Sequence, residues 1–352
     1  MIRQTLIMKK PVLKSLSTRR ATLQDVASLA GVGPMTVSRT INGHPYVSVN
    51  TAKKVKAAIR ELGYRPNHAA RVLSGQLTRT IGLIVPDVSD PFFSVVSHAV
   101  QEAARESGYL VWLAASEEDP ASEAAQLEMM MHHPVDGILL VPAQSREKHL
   151  KQLVAGSVPI VTIDRPIEVA TTDSVGVENR AGARMAVEHL IQHGHARITC
   201  AAANAHLQTI RERIAGYRES LRSAKLRPSQ EVYLSSQASA RQALSELFGS
   251  RGRPEALFTA NNASTVWVIA ALRDMKIEIG KSLALVGFDD VGFYSLLTPP
   301  ITAVSQPAAE LARLSARLLL QRINGQLTGP SVRTVLPVTL LIRESCGCKP
   351  GN

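Results

Sequence analysis

The chain has 352 residues, of which 45% are hydrophobic, so it can bury the cores of two or three domains. No run approaches the roughly 20 apolar residues that cross a bilayer, which excludes a membrane-spanning helix. Three cysteines are too few for a disulfide framework, which excludes a small disulfide-stabilised secreted protein.

The excess of positive over negative charge comes entirely from the first quarter of the chain. The net charge is +11, but residues 1–80 hold 14 Lys or Arg side chains against two acidic ones, a balance of +12, and the remainder balances to −1. A basic head on a near-neutral body indicates that the head alone contacts a polyanion. Residues 1–20 lack a secretory signal, and we expect them to form a flexible basic arm, with Met8 an alternative start.

Two helices are predicted on either side of a tight turn. Thr22 and Asp25 have the spacing of a capping box, which begins a helix. Gly31 suits the turn because glycine tolerates a positive φ, and Pro34 suits the first turn of the second helix. That helix is expected to bury Val37 and to leave its other faces free.

A third helix is expected from about Thr51 to Leu62. Val55, Ile59 and Leu62 would form its buried face, and Gly63 would end it. Three short helices, the first two joined by a tight turn, make a helix-turn-helix unit, and their positions place it at residues 21–64.

Residues 65–79 are predicted to form a hinge. Pro66 breaks the chain, and Asn67 can cap a short helix that ends at Gly75. A helix of one or two turns is not stable alone in water, so we expect it to form only against a partner.

From residue 80 onward the pattern changes to alternating strands and helices. Seven apolar runs bounded by Gly, Pro or Asp are separated mostly by helix-length segments. This pattern predicts parallel sheets covered on both faces, with enough strands for two doubly wound α/β lobes in residues 80–352. Ligands in such sheets bind at the carboxyl ends of strands. Polar or aromatic groups follow several strands, at Asp87 to Phe93, Asp164-Arg165, Asn261-Asn262 and Asp289-Asp290.

Several motifs, in order, resemble the lactose-repressor (LacI/GalR) family. The head and hinge carry "TLQDVASLAGVGPMTVSRTING" and "ELGYRPNHAARVLSG", and the core carries "TIGLIVPDVSDPFF", "VDGILLVP", "RERIAGY" and "LALVGFDD". The resemblance covers roughly residues 20–345. It implies a cytoplasmic bacterial regulator, usually a repressor, that lies on the nucleoid when bound. Two heads would pair on a palindromic operator, and a periplasmic-binding-protein-like core would hold a small effector between its lobes.

The resemblance also implies which residues of the head contact DNA. Pro34, Met35 and Arg39 match recognition-helix contacts, and the hydroxyls of Thr36 and Ser38 suit phosphates or base edges. The family usually has Ser where Gly33 stands, so we expect a cap and a phosphate contact to be missing. Pro34 and Met35 offer only apolar contact, so we expect hydrogen-bond readout to depend on Arg39. The predicted DNA-contacting residues are Thr22, Pro34, Met35, Thr36, Ser38, Arg39, Asn42, Asn67, Ala70 and Leu73.

In the hinge, Leu73 matches the family's leucine that wedges into the minor groove, where it would unstack a base step. Asn67 would cap the hinge helix, and Ala70 would let it lie close to the groove. The alternative is that Leu73 packs on the protein core.

The resemblance implies an effector site built from strand-end residues, and their chemistry fits a polyhydroxyl ligand. Carboxylates and amides pair with vicinal hydroxyls, Arg offers a planar fork, and Phe stacks on a sugar ring. Alternatively, the Phe residues are core and the aspartates are helix caps, and Arg211 competes with Arg213. The predicted effector-binding residues are Asp90, Phe92, Phe93, Asp164, Arg165, Arg213, Asn261, Asp289 and Gln306.

The ligand class stays open within this reading. Two arginines, Arg165 and Arg213, would also suit a sugar acid or a sugar phosphate. The family more often has Asp where Asn262 stands, which removes a carboxylate near the pocket mouth. A purine corepressor stacked on Phe92 is the main alternative, and a sugar-binding protein without DNA function is a weaker one.

We expect neither a metal site, nor a cofactor, nor catalysis. His189, His193 and His195 lie near each other in sequence, but histidine pairs four apart on a helix are common and no third ligand at a usual spacing completes a metal site. We interpret Cys346 and Cys348 as incidental. No catalytic constellation stands out. We expect at least a homodimer, because one head reads too few base pairs. Whether two dimers pair into a tetramer is left open. The segment near the C-terminus has no leucine heptads from which to form a four-helix tail.

Overall fold

The computed structural model describes residues 21–41, 46–64, 77–227, 230–249 and 252–348. These residues belong to two compact units, one before residue 77 and one from Leu77 onward. The predictions for residues 1–20, and for Asn42, Asn67, Ala70 and Leu73, lie outside the described ranges.

The described residues of the first unit form three helices, α1 (Leu23–Ala30), α2 (Pro34–Ile41) and α3 (Val49–Glu61). The predicted capping box is confirmed: the Asp25 amide donates to the Thr22 hydroxyl at 3.3 Å, and the Thr22 amide donates to the Asp25 carboxylate at 2.7 Å. Gly31 turns the chain with a φ of +66°. Val26, Val37 and Val55 form the fully buried centre of this small unit.

The predicted bounds and buried face of α3 need correction. The helix begins at Val49, after Ser48, whose hydroxyl accepts from the Thr51 amide at 3.2 Å. Leu62 was expected inside but is 36% exposed, because α3 ends at Glu61 and the chain turns away immediately after Leu62. Ala58, 3% exposed, packs inside instead, one turn after Val55.

The described residues of the second unit form twelve strands in two six-stranded sheets. The strands are β1 (Thr80–Val85), β2 (Leu110–Ala115), β3 (Gly137–Leu140), β4 (Ile160–Ile163), β5 (Asp173–Val177), β6 (Ile198–Ala203), β7 (Val232–Leu234), β8 (Ala256–Thr259), β9 (Ala284–Phe288), β10 (Thr302–Ser305), β11 (Arg333–Leu336) and β12 (Thr339–Leu341). The helices are α4 (Pro91–Glu106), α5 (Pro120–His132), α6 (Lys148–Val154), α7 (Asn179–Gln192), α8 (Gln208–Ser223), α9 (Gln237–Gly249), α10 (Asn262–Asp274) and α11 (Ala308–Ile323).

Each sheet forms the centre of one lobe, and the predicted two-lobed α/β architecture is confirmed. The first lobe has strand order β11-β5-β4-β3-β1-β2, and the second has β12-β10-β9-β8-β6-β7. All of the pairs are parallel except β10 with β12. The chain passes between the lobes after β5, after β10 and again between β11 and β12. Three connections therefore join the two lobes.

One carboxylate holds the first residues of the second unit. Asp136 accepts from the Thr78 amide at 2.7 Å, the Thr78 hydroxyl at 2.8 Å and the Arg79 amide at 2.7 Å. The last residues of the expected hinge are therefore held on the first lobe. None of the helices in the described ranges is both long and apolar enough to cross a membrane.

Helices α7 and α8 pack closely in the second lobe because a glycine lies at their contact. A Cβ on Gly216 of α8 would overlap the carbonyl oxygen of Arg180 in α7 and would lie 3.0 Å from the Ala183 side chain. Backbone cannot move aside as a flexible side chain can. A Cβ on Gly249, the last residue of α9, would meet no atom within 4 Å.

We therefore predict that Gly216→Ala lowers the free energy of unfolding by at least about 1–3 kcal/mol through overpacking. The matched control Gly249→Ala should be neutral or slightly stabilising, because alanine favours helix over glycine by about 0.5–1 kcal/mol. Urea denaturation followed by circular dichroism measures both. Equal effects of the two substitutions would show that the α7–α8 contact is not close-packed.

Candidate functional site

The second helix of the first unit presents the side chains predicted to contact DNA. Val37 is fully buried, and Thr40 is 8% exposed, so they fix the inner face of α2. Pro34, Met35 and Arg39 are exposed, Met35 to 67%, whereas Thr36 and Ser38 are half-buried. The outer face thus offers one guanidinium, two hydroxyls and an apolar pair.

Thr22 differs from the other predicted contacts because its side chain already has partners within the protein. Its hydroxyl donates to the Asp25 carboxylate at 2.7 Å and accepts from the Asp25 amide. The residue fixes the start of α1, so its main role in the described structure is that of a helix cap.

In the second unit, all nine predicted effector-site residues line one cavity between the lobes. Parallel strands end at the same edge of each sheet, and the segments after β1, β4, β8, β9 and β10 bring polar residues there. Arg213 enters from α8 instead. The cavity has a volume of about 80 Å³, and a groove of about 500 Å³ adjoins it, sharing Phe92, Asp289 and Gln306.

Arg213 is the most tightly held of these side chains. It is 3% exposed, and its Nε donates to Asn179 Oδ1 at 2.8 Å, while Nη1 donates to the Ala260 carbonyl at 2.9 Å and to Asp289 Oδ2 at 3.1 Å. The guanidinium carbon lies 3.7 Å from the centre of the Phe288 ring. The competing Arg211 is half-exposed, with its guanidinium 3.8 Å from Glu168, so the structure places Arg213 in the cleft.

Arg165 is buried in the first lobe against an acid that sequence reasoning missed. Its two Nη atoms donate to the two carboxylate oxygens of Glu118, at 2.7 and 2.8 Å, and Nη1 also reaches the Pro142 carbonyl at 3.1 Å. Glu118 follows β2, so the rule that strand ends carry binding residues would have found it had it been applied to that strand. Asn179, the partner of Arg213, begins α7 and gave no such signal.

One hydrogen-bonded contact spans the mouth of the cleft. The side-chain nitrogen of Asn262 donates to both carboxylate oxygens of Asp90, at 3.1 and 3.0 Å. Asp90 also caps α4 by accepting from the Phe92 amide at 2.8 Å, so it both caps a helix and lines the cleft. Burial raises the pKa of Asp90 above its usual range, against the opposing effect of the Asn262 and Phe92 hydrogen bonds. Asn261 turns inward to cap α10 through the Ser264 amide, at 3.1 Å.

Asp164 and Asp289 occupy equivalent positions in the two lobes, directly after β4 and β9. Both have left-handed backbone conformations, with φ of +66° and +74°, which Asp tolerates better than most residues. Such conformations concentrate at binding sites. Burial raises the pKa of Asp164 to about 6, although Arg165 and Arg213 favour its charged form.

Three of the eight buried side-chain polar atoms that lack a hydrogen-bond partner in the described structure lie in the cleft. Among the residues that the structure describes, Asp164 Oδ1, Arg165 Nε and Gln306 Oε1 are buried and make no hydrogen bond. Buried polar atoms normally have partners, and leaving one unpaired costs about 1–3 kcal/mol. The cleft therefore offers two acceptors and one donor to a ligand.

The two phenylalanines play different parts. Phe93 is 7% exposed and belongs to the core of the first lobe. Phe92 is half-buried, packs edge-on against Phe93 with ring centres 5.1 Å apart, and faces both the cavity and the outer groove. Phe92 is the aromatic surface available to a ligand.

In the described part of the chain, one group of potential metal ligands lies close together. It consists of His189, Cys346 and Cys348, and it lies outside the lining of the cleft.

Comparisons with known proteins agree with this architecture. Residues 22–67 match the bacterial regulatory proteins of the lacI family, and residues 187–346 match a periplasmic binding protein-like domain. The chain is 33% identical over 330 residues to the ribose operon repressor of Escherichia coli K12, covering 92% of this chain and 99% of that protein. It is 30% identical to the transcriptional repressor PurR of Aliivibrio salmonicida, covering 86% and 92% of the two chains.

Solved structures show the same likeness. The lac repressor dimer bound to operator and the anti-inducer ONPF superimposes with a TM-score of 0.82 at 27% identity, covering 93% of this chain and 99% of that chain. The transcriptional regulator CelR in complex with cellobiose superimposes with a TM-score of 0.70 at 34% identity, covering 93% and 100%. The chain therefore belongs to the lacI family of bacterial regulatory proteins, and it is a DNA-binding regulator and not an enzyme.

Proposed function

We propose that this protein is a homodimeric transcriptional repressor that binds a palindromic operator and is released by a sugar or sugar acid held between its lobes. The observation that carries the proposal is the convergence of nine strand-end and helix residues on one cleft that retains unpaired buried acceptors and a donor. Such a cleft is built for a small ligand rich in hydrogen-bonding groups.

Three features of the cleft favour a polyhydroxyl ligand. Sugar hydroxyls both donate and accept, so one ring can serve Asp164 Oδ1, Gln306 Oε1 and Arg165 Nε together. Phe92 offers a face for the C–H side of a ring. Similarity to the ribose operon repressor and to CelR, whose structure contains cellobiose, supports a ligand of the same class for this chain.

The size of the cavity indicates how the ligand acts. Its volume of about 80 Å³ is well below the ~300–1,000 Å³ of typical ligand pockets, so the lobes must part to admit a ring. Parting them breaks the bonds from Asn262 to Asp90. A ligand that bonds to both lobes then favours the closed arrangement over the open one, and this preference changes operator affinity by a coupling of typically ~1–3 kcal/mol.

A purine is the second candidate. The observation that favours it is the exposed face of Phe92, on which a base can stack, together with the 30% identity to PurR. A purine would act as a corepressor, so its effect on operator affinity would have the opposite sign.

For the head, we predict that Arg39 supplies base specificity, because it is the only guanidinium on the exposed face of α2. Arg39→Ala should weaken binding to the operator by about 1–3 kcal/mol and binding to random DNA much less. The control Arg60→Ala removes the same charge from exposed α3 and should weaken binding to both DNAs alike.

Fluorescence anisotropy at several salt concentrations measures these affinities, and the titration end point gives the number of chains per operator. Equal losses on both DNAs for Arg39→Ala would mean that Arg39 contacts only phosphate.

For the cleft, we predict that a sugar or sugar acid raises the melting temperature and that Phe92→Ala abolishes this shift. The ring faces the cavity, and its removal should leave the fold intact because Phe92 is only half-buried. Phe293→Ala is the control, since that ring is 44% exposed and lies outside the cleft lining.

The measurement is a thermal-shift screen of sugars, sugar acids, sugar phosphates and purines, followed by operator titration with each hit. Stabilisation by purines alone would refute the sugar proposal. A sugar that tightens operator binding would refute the release mechanism while retaining the ligand class.

The pKa of Asp164 predicts how ligand affinity depends on pH. A neutral sugar that donates a hydroxyl to Asp164 stabilises the carboxylate and lowers its pKa from about 6. Affinity should then rise as pH increases from about 5 to 7, by up to tenfold for each unit by which the pKa falls. An anionic sugar acid should give the reverse dependence, because it favours protonated Asp164.

Calorimetric titration of the hit ligand at several pH values measures this dependence. Asp164→Asn should flatten it, and asparagine tolerates the left-handed backbone there. An unchanged pH dependence in Asp164→Asn would assign the titration to another group.

A further inference from the structure

We propose that His189, Cys346 and Cys348 form a zinc-binding site in the second lobe, apart from the effector cleft. The potential ligand atoms of the three side chains all lie within 4.8 Å of one another, and Cys348 Sγ lies 3.4 Å from His189 Nε2. The sequence predicts no metal here, because the two thiols are more than 150 residues from the histidine and only the fold brings them together.

The site is built into the fold. His189 is 7% exposed and Cys346 is 1% exposed, while Cys348 is half-buried at the edge of the cluster. A histidine in the interior needs a polar partner for its ring nitrogen, and the cysteines provide it. Helix α7 holds His189 against β9, β10 and β12 of the second lobe.

The turn that carries the two cysteines is held in place before any ion binds. The Ser345 hydroxyl donates to the Leu285 carbonyl at 2.6 Å and accepts from the Thr302 amide at 2.8 Å. Gly347 has a φ of +80°, which lets the chain reverse between the thiols so that both approach the same imidazole. Because the fold already orders this turn, metal binding has to restrict little further conformational freedom.

The ligand set identifies the ion. Two thiolates and one imidazole suit zinc, which binds such ligands tetrahedrally at about 2.3 Å for sulfur and 2.0–2.1 Å for nitrogen. Cys348 and Gly347 also line a solvent groove of about 720 Å³, so water can occupy the fourth position. Binding releases the thiol protons and changes no oxidation state.

Zinc at this position would fasten the end of the described chain to α7. The first residue of α7 is Asn179, which accepts a hydrogen bond from Arg213 in the cleft, so the same helix connects the two sites. The proposal itself does not depend on the effector, because none of the three ligands lines the cleft.

The test uses the full chain, purified with a reductant and freed of metal with a chelator. We expect one Zn²⁺ per chain by competition with a chromophoric chelator, and a rise in melting temperature on adding Zn²⁺. Co²⁺ in its place should give the near-ultraviolet band of thiolate ligation and the visible bands of a tetrahedral ion.

Cys348→Ser should weaken Zn²⁺ binding by more than about tenfold and remove much of the thiolate band. Cys348 lies at the edge of the cluster, so the Cys348→Ser protein should fold. His189 is buried, so His189→Gln would disturb the interior and is a less suitable test. Cys200→Ser is the matched control, because that thiol is buried in β6 outside the cluster, and it should bind Zn²⁺ as the wild type does.

Two outcomes would overturn the proposal. One is the absence of stoichiometric Zn²⁺ binding by reduced protein. The other is binding that Cys348→Ser leaves unchanged. If the protein is two mass units lighter because Cys346 and Cys348 form a disulfide, and the reduced protein binds no Zn²⁺, the pair would be assigned to redox chemistry instead.

Discussion

The guanidinium of Arg213 is 3% exposed, so its N–H groups need hydrogen-bond acceptors within the protein. The arrangement of the second lobe at the cleft depends on the residues that supply those acceptors. Its partners come from the start of α7, the end of β8 and the end of β9, while Arg213 itself belongs to α8. Removing one partner of a buried charge pair costs about 3–5 kcal/mol, so these four elements are held in one arrangement. That arrangement places Asp289 at the cleft.

In the first lobe, the buried guanidinium of Arg165 has an incomplete set of hydrogen-bond partners. We infer that this difference between the lobes lets the cleft respond to a ligand. Arg165 has a bidentate partner in Glu118, but its Nε and the neighbouring Asp164 Oδ1 make no hydrogen bond within the described structure. A ligand can therefore supply the missing hydrogen bonds in the first lobe, whereas the hydrogen bonds of Arg213 in the second lobe are already formed. The Asn262–Asp90 contact closes the mouth between them.

Sequence reasoning grouped the effector-site residues through the resemblance to the lactose-repressor family, and the rule that ligands bind at the carboxyl ends of parallel strands supports the residues after β1, β4, β8 and β9. It missed Asn179 because a helix start gives no sign of which arginine it will hold. It also missed β5, β7, β10, β11 and β12, which are short or lie near the sheet edges and lack a continuous apolar run. The gathering of His189 with two distant cysteines depends on tertiary packing and has no local signal.

The most direct test of the account is to fix the cleft shut and measure operator affinity. Cysteines introduced as Asp90→Cys and Asn262→Cys, at positions whose side chains touch across the mouth, can be joined by a short thiol-reactive cross-linker. Wild-type protein treated identically controls for the native cysteines. The account predicts that the cross-linked protein binds the operator as weakly as ligand-saturated wild type and no longer responds to ligand. A cross-linked protein that binds the operator as tightly as the ligand-free wild type would contradict it.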